Sequence, residues 1–339
     1  MTLYCGIDLH SNNAVVSVID DEDLVIFEKR LPNRIEVILE MLLPYLRDIY
    51  ACVVESTYNW YWLVDGLMDK GFDVRLANTA AIVQYNGIKH TNDLTDARYL
   101  AHLLRLGILP EGHIYPKAQR AIRDLLRRRL LLVRQSTVQH LSLQSLITRH
   151  TGLRMTSNGI KRLNDQQLNR MFPDPNVLLA ARSANHMIIT FRQAINCLEE
   201  QILKSQKERP EYELLCSIRG VGKIIGLTIL LETGDIHRFP SPGHYASYAR
   251  CVNSAKISNG KTKGHGNTRN GNKYLSWAFM EAAHYAAIWD PVMKKYYQRK
   301  KDKTHIMIAK KALANKLARA CYHMLMKGER FEVNRAFAA

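Results

Sequence analysis

Short apolar runs separated by polar turns fill the first hundred residues of the chain. Residues 3–8 and 14–20 are almost wholly apolar and flank a polar turn at residues 10–13, which predicts two neighbouring strands. Similar runs predict strands at residues 24–31, 51–54 and 73–77. Because the runs that lead to Asp8 and to Glu55 are continuous rather than alternating, we expect these two strands to be buried.

Helical periodicity separates the later strands. Residues 34–50 have the pattern of an amphipathic helix, and its apolar positions are Ile35, Ile38, Leu39, Leu42 and Leu46. Residues 58–70 and 93–106 predict two further helices. Three strands followed by alternating helices and strands is the order typical of an α/β ribonuclease H-like mixed sheet.

The pattern changes between residues 117 and 209, where long helical runs carry many basic residues and almost no strand signal. We predict an all-α coiled-coil connector, broken at Pro173 and Pro175, whose basic side chains lie along phosphates while leucines pack against a partner helix. A solvated basic face on an antiparallel hairpin is the alternative. The basic residues of its first helix are Arg120, Arg123, Arg127, Arg128, Arg129 and Arg134.

A glycine pair begins the third part of the chain. Gly220 and Gly222 precede Lys223 and an apolar helix at residues 224–231, which is the layout of a helix-hairpin-helix motif. Exposed backbone N–H groups at the start of such a helix can bind a phosphate without recognising a base. An ordinary turn between two helices is the alternative. Helices predicted at residues 273–288 and 303–327 complete a mostly helical domain.

Residues 253–272 are rich in glycine and small polar residues, so their backbone is free to wrap a nucleic-acid strand. The basic residues of this stretch are Lys256, Lys261, Lys263 and Arg269. Ser258 lies among them, and a serine on a basic loop is by itself usually only a solvated hydroxyl.

The formal charge of +17 predicts a polyanionic partner, and its distribution is uneven. Residues 1–110 hold 9 Lys and Arg against 15 Asp and Glu, whereas the remainder holds 39 against 16. We therefore predict a catalytic domain at residues 1–115, the connector at 116–209 and a nucleic-acid-binding domain at 210–339.

The six cysteines lack any paired C-x-x-C spacing, which argues against a zinc knuckle or a disulfide framework. The chain also lacks the layout of a signal peptide, and its apolar runs stay short of a membrane span. We expect a cytoplasmic bacterial protein without a membrane partner, associated with the nucleoid when active.

Four carboxylates mark the acidic part of the chain. Asp8 and Glu55 each end an apolar strand, and Asp93 and Asp96 lie three residues apart on one helix face. Held together at a sheet edge, they would bind Mg²⁺, or alternatively Mn²⁺, for phosphodiester chemistry. Individually, Asp93 or Asp96 is also an ordinary residue of a helix N-terminus.

The motifs GIDLH, VVEST, DLTDAR, IRGVG and ISNGKTKGHGNTRNGNKYL occur in this order along nearly the whole chain. In this order they resemble the insertion-sequence transposases of family one-ten, relatives of the Piv-type DNA invertases. The resemblance implies a RuvC-like domain with a four-acid site, a coiled-coil connector and a C-terminal transposase domain. Asp8, Glu55, Asp93 and Asp96 match the family's four acids one by one.

The resemblance also implies a serine nucleophile. Many family members have two adjacent serines at this point of the sequence, whereas here only Ser258 precedes Asn259 and Gly260, so we assign the nucleophile to Ser258. Ser254 is the alternative. The implied partners are donor and target DNA and a structured non-coding bridge RNA. Strand exchange at two sites implies a homo-oligomer, a dimer or tetramer formed through the leucine-rich connector.

Three other functions remain open at this point. A metal-dependent junction resolvase would use the same four acids without a serine. An actin-like sugar kinase would also suit a GID strand followed by a hairpin, although the basic remainder argues against a small-molecule enzyme. A non-catalytic DNA-binding protein would use the helix-hairpin-helix alone, with the carboxylates as helix caps.

Overall fold

The computed structural model describes residues 1–82, 92–204, 209–253, 255–265 and 270–337, with only the backbone of residues 255–257 and 265. The chain divides into two compact units, Met1–Lys117 and Ala118–Ala339. The further division of the second unit at residue 210 stays a prediction.

The first unit is built on a six-stranded mixed sheet in the order β3-β2-β1-β4-β5-β6. Strands β1 to β3 are antiparallel neighbours, β1, β4 and β5 are parallel, and β6 returns antiparallel to β5. The strands are β1 Leu3–Leu9, β2 Asn13–Ile19, β3 Val25–Pro32, β4 Ile49–Glu55, β5 Val74–Ala77 and β6 Glu111–Gly112. This arrangement confirms the predicted α/β mixed sheet.

Helices cover both faces of this sheet. Helices α1 (Ile35–Leu42) and α2 (Tyr61–Met68) bury their apolar residues against one face, together with Cys5 and Ile7 of β1. Helix α3 (Asp93–Arg105) packs on the opposite face, where Leu100 contacts the cluster that contains Val53 of β4. The central strands β1, β2 and β4 are therefore buried on both sides, whereas the edge strand β3 is largely exposed.

The predicted helix at residues 34–50 was too long. Helix α1 ends at Leu42, a 3₁₀ turn follows at Leu43–Tyr45, and Ile49 already begins β4. Pro44 explains the early end, because proline has no N–H to continue the helical hydrogen bonds, whereas Leu43 before it keeps helical geometry.

The second unit begins with two long helices. They are α4 (Lys117–Thr151), whose first residue belongs to the first unit, and α7 (Pro175–Lys204). Leu126 near the start of α4 shares a core with Ile202 near the end of α7, and Leu143 shares another with Ala181, so the helices run antiparallel. The short helices α5 (Ser157–Ile160) and α6 (Asp165–Met171) lie between them in the chain.

The C-terminal part is mostly helical, as predicted, and its largest core joins residues of α9, α11 and α13. Its helices are α8 Pro210–Cys216, α9 Lys223–Thr233, α10 Pro242–Tyr248, α11 Lys273–Trp289, α12 Pro291–Lys301, α13 Ile306–Lys327 and α14 Val333–Ala336. No helix of the described ranges has an apolar stretch long enough to cross a bilayer.

Candidate active site

Asp8 and Glu55 lie side by side at the carboxyl ends of two parallel strands. Ile7 of β1 pairs with Val54 of β4, so the next residue of each strand is an acid. Successive side chains of a strand point to opposite faces, and Ile7 and Val54 belong to the core beneath α1 and α2. Asp8 and Glu55 therefore point to the face that α3 covers.

Gly6 brings α3 directly onto β1. A Cβ built at Gly6 would lie 2.0 Å from the carbonyl oxygen of Ala97 and 2.8 Å from the backbone nitrogen of Ala101, so no side chain fits there. Asp93 and Asp96 are in the first turn of the same helix. This close approach holds the amino end of α3 against the strand that carries Asp8.

The start of α3 is fixed by a capping box. The Asn92 side chain accepts a hydrogen bond from the Thr95 backbone N–H, and the Thr95 side chain accepts one from the Asn92 backbone N–H. The turn that carries both aspartates is thereby ordered. Helical spacing puts Asp93 and Asp96 on one face, as the sequence predicts.

His10 joins this cluster, and sequence reasoning missed it. Its Nε2 atom lies 3.2 Å from Asp8 Oδ2 and 3.4 Å from Asp93 Oδ2. Although that nitrogen is buried, neither carboxylate is aligned with it for a hydrogen bond, and no other described group supplies one. One ligand atom each of Asp8, His10 and Asp93 lies within 4.8 Å of the others.

Two asparagines hold the backbone of His10 in place. Asn33 and Asn59 donate side-chain hydrogen bonds to the His10 carbonyl at 3.0 and 2.9 Å. The His10 N–H donates to the Asn13 carbonyl at 2.9 Å. The ring is therefore presented from a fixed backbone. The histidine of the GIDLH motif, two residues after Asp8, was the available signal.

The pKa shifts of Glu55 and Asp96 reflect burial and the acids beside them. The pKa of Glu55 is raised to about 8. Burial is the largest cause, followed by a hydrogen bond with Asp8 and by repulsion from Asp8 and Asp96. Burial and the charges of Asp8 and Asp93 also raise the pKa of Asp96. The site therefore holds more negative charge than it can accommodate without a cation or a proton.

Arg30 modifies one edge of the cluster. Its Nη2 atom donates to Asp93 Oδ2 at 2.5 Å, and this hydrogen bond is the main reason that the pKa of Asp93 is lowered. Arg30 lies on β3, and the same side chain donates to Asn13 at 3.2 Å.

The residues present fit a divalent cation. The carboxylates offer hard oxygen ligands and His10 adds a borderline nitrogen. A bound cation would relieve both the unaligned buried nitrogen of His10 and the raised pKa of Glu55. The cluster is therefore a candidate divalent-metal centre, and its four-acid ligand set stays a prediction.

Ser258 lies in the second unit, at the tip of a hairpin. It ends β7 (Ala255–Ser258) and pairs with Lys261, the first residue of β8 (Lys261–His265). Asn259 and Gly260 between them have φ values of 51° and 70°, which is the backbone of a two-residue type I′ turn. The free loop expected at residues 253–272 is therefore a hairpin in part, and Ser258 is exposed.

The basic face expected on the connector is largely absent. Arg120 and Arg123 are buried, and Arg123 and Arg127 form ion pairs with Glu232 at 2.9 and 2.6 Å. Arg129 pairs with Glu199 at 2.6 Å. These arginines cannot lie along phosphates, because their charges are used inside the chain. The exposed arginines of the predicted basic face are Arg128 and Arg134.

Glu232 is the acid that holds this arrangement. It is fully buried in α9, and burial by itself would raise its pKa. Hydrogen bonds and positive charge from Arg127 and Arg123, with a hydrogen bond from Asn272, outweigh burial, so the pKa of Glu232 is lowered. A single acid that follows the apolar run at residues 229–231 was the sequence signal. The connector leucines are also used internally, since Leu126 packs against Leu227 and Leu231 of α9.

The two glycines in the turn of the predicted helix-hairpin-helix have different structural roles. Gly220 has a φ of 103°, and a Cβ there would lie 2.4 Å from the backbone nitrogen of Ala286, so this residue serves packing against α11. Gly222 has open space around it and caps the amino end of α9 beside the exposed Lys223. Gly222 and Lys223 therefore keep the geometry needed for a phosphate contact.

The remaining basic residues belong to the hairpin region. Lys261 and Lys263 are exposed on β8. The Lys256 side chain, Arg269 and the alternative nucleophile Ser254 lie outside the described residues.

Comparison with known proteins identifies both halves of the chain. A family model for the DEDD transposases of IS110, described as "Transposase", matches residues 5–151. A second model, described as "Transposase IS116/IS110/IS902 family", matches residues 212–298. The chain belongs to the IS110 family of transposases. The two matches include all four acids, the glycine turn and the Ser258 hairpin.

A curated relative agrees with this assignment. The chain is 33% identical over 137 residues to the "Insertion element IS110 uncharacterized 43.6 kDa protein" of Streptomyces coelicolor. That alignment covers 40% of this chain and about a third (34%) of the relative.

Proposed function

We propose that this protein is the recombinase of an insertion element and cuts and rejoins DNA at the four-acid centre. The proposal rests on one observation above all. Asp8 and Asp93 lie 3.2 and 3.4 Å from His10 Nε2, and the Asp8 carboxylate contributes to the raised pKa of both Glu55 and Asp96. Acids at the edge of a ribonuclease H-like sheet suit phosphodiester chemistry.

Asp8, Glu55, Asp93 and Asp96 would hold Mg²⁺, with Mn²⁺ as an alternative, and His10 would add a nitrogen ligand. A cation held by these residues would supply positive charge to offset the charge that develops on the phosphate. The protein itself would hold the metal-ligand side chains in position before the substrate binds. Gly6, the capping box and the two asparagines fix the backbone segments that carry these side chains.

Ser258 would be the nucleophile. Its Oγ forms a bond to the DNA phosphorus, the P–O bond to one strand end breaks, and the released strand oxygen takes up a proton in exchange for the serine proton. Attack by a hydroxyl of the other DNA on the phosphoserine reverses these changes and frees Ser258. The exposed turn position and the neighbouring Lys261 support this role, because the hydroxyl is accessible beside a positive charge.

The acids belong to the first unit and Ser258 to the second. Donor and target DNA are the proposed substrates, and a structured non-coding RNA is the proposed guide. Gly222, Lys223, Lys261 and Lys263 remain the candidate backbone contacts. We also propose a homo-oligomer, because exchange of two DNA sites needs several sites at once.

The test is capture of a covalent adduct. Purified protein is incubated with labelled element-end DNA, its RNA and Mg²⁺, then denatured and separated by mass. We expect a protein–DNA adduct that maps to Ser258 and is lost in Ser258→Ala and in Asp8→Asn, whereas Ser241→Ala keeps it. Cleaved DNA without an adduct in the wild type would instead indicate a junction resolvase-like nuclease.

A further inference from the structure

A row of cationic residues on α13 lines a cavity in the C-terminal part. Lys316, Arg319, His323 and Lys327 recur at intervals of three and four residues, which puts them on one helix face. They line a cavity of about 620 Å³ together with residues 329–332, 335 and 336. That volume lies within the usual range for small-ligand sites.

The cavity has an excess of positive charge. Five Lys and Arg residues line it against Glu329 and Glu332. Glu329 is already paired with Arg335 at 3.1 Å. Within the described ranges, Arg319, Lys327 and Arg330 form no ion pair with a carboxylate, and all three are exposed. An anionic ligand is therefore favoured.

One wall is aromatic and already ordered. The Tyr296 ring meets the edge of Phe337 at a centroid distance of 5.3 Å. Lys316 Nζ lies 5.5 Å from the Tyr296 ring centroid and donates to the Ala336 carbonyl at 3.1 Å. Tyr296, Phe331 and the buried Met324 thus give the cavity an apolar surface beside its cations.

We infer that this cavity binds an unpaired nucleotide of single-stranded nucleic acid. A planar base would pack on Tyr296 or Phe331, and its phosphate would bind Arg319, Lys327 or Arg330. A base stacked inside a duplex cannot enter. The row from Lys316 to Lys327 spans about 16 Å, which is longer than one phosphate needs and fits several consecutive phosphates of a strand. Binding here needs neither the metal centre nor Ser258, so the inference goes beyond the proposed function.

The experiment measures binding by fluorescence anisotropy with full-length protein in EDTA. The probes are a labelled 15-nucleotide single strand, as DNA and as RNA, and the matching blunt duplex, with adenosine monophosphate as competitor. Arg319→Ala with Lys327→Ala removes two cavity charges. Lys295→Ala with Lys303→Ala removes two exposed charges outside the cavity and is the matched control.

We expect the cavity variant to bind either single strand at least ~10-fold more weakly than the control variant and the duplex about equally. Phe331→Ala should weaken single-strand binding ~5-fold or more without changing duplex binding. Circular dichroism melting checks that each variant folds. Three results would overturn the inference. They are an equal loss of single-strand binding in both double variants, a loss of duplex binding alone, and displacement of the strand by micromolar adenosine monophosphate. Because no cleavage is measured, failure here leaves the adduct test of the proposed function unaffected.

Discussion

The backbone of Ala97 occupies the space that a side chain at Gly6 would need, since a Cβ at Gly6 would be 2.0 Å from the Ala97 carbonyl oxygen. This contact between β1 and α3 links the buried sheet to the four-acid centre. Asp8 lies two residues after Gly6, and Asp96 is the residue before Ala97. A change in the spacing of the two elements therefore changes the distances between the acids.

Gly6→Ala should damage both stability and the site. The added methyl must push α3 off the sheet, and overpacking of this kind costs about 1–3 kcal/mol. We expect a lower unfolding midpoint in urea and weaker Mn²⁺ binding. Gly243→Ala is the control, because that helical glycine has ordinary space for a methyl. Unchanged Mn²⁺ binding in Gly6→Ala would contradict this role of the close approach.

Metal binding should release a proton from Glu55. Its pKa of about 8 keeps it mostly protonated at pH 7 in the metal-free protein, and a cation would displace that proton. Calorimetric Mn²⁺ titrations in buffers of different ionisation enthalpy should detect about one released proton per site at pH 7, falling toward zero above pH 9. Glu55→Gln should abolish the release, and release that persists in this variant would assign the proton elsewhere.

The same pKa predicts how metal-free stability changes with pH. Because the folded pKa of Glu55 lies above that of an unfolded glutamate, its contribution is fully present below about pH 4.5 and is lost as the pH rises through about 8. The melting temperature in EDTA should therefore fall between these values more steeply in the wild type than in Glu55→Gln. Parallel curves would contradict the shift.

His10→Ala should weaken divalent-metal binding. Its Nε2 atom lies between Asp8 and Asp93 without an aligned hydrogen bond, so we expect it to be a ligand or a direct neighbour of the cation. Loss of such a group typically lowers metal affinity about 10–100-fold, which Mn²⁺ electron paramagnetic resonance can measure. His102→Ala, which removes a partner of Asp23 at 2.9 Å, should leave Mn²⁺ affinity unchanged. Equal affinities in the two variants would exclude His10 from the site.

Glu232→Gln should destabilise the second unit. It leaves Arg123 and Arg127 without their buried counter-charge, which typically costs about 3–5 kcal/mol. Glu199→Gln breaks the more exposed pair with Arg129 and should cost less than about 1 kcal/mol. Urea unfolding measures both. Because the folded pKa of Glu232 is lowered, its contribution is present above about pH 4.5 and lost as the pH falls through that folded value. Equal losses would contradict the anchoring role of Glu232.

The sheet could be predicted from local signals, and so could the position of two acids at the ends of its strands. Continuous apolar runs identified β1 and β4, and an acid at the end of each run identified Asp8 and Glu55. The length of α1 was wrong because its apolar spacing continued past Pro44, which ends the helix. Asn259-Gly260 is a strong hairpin signal that was available in the sequence, but the glycine content of the stretch favoured a free loop.

The arginine cluster was misinterpreted for a different reason. Whether Arg123 and Arg127 face solvent depends on Glu232, which lies more than a hundred residues later in the chain. No periodicity within the connector contains that information. The same holds for His10, whose importance depends on the distance from Asp93 across the fold.

Anomalous diffraction from crystals grown with Mn²⁺ shows whether the four acids together bind a divalent cation. We expect a manganese peak about 2.1–2.2 Å from oxygens of Asp8 and of the α3 aspartates, and we expect the peak to disappear in Asp8→Asn crystals. An ordered site that holds all four acids but gives no peak at saturating Mn²⁺, or a peak that survives in Asp8→Asn, would contradict it.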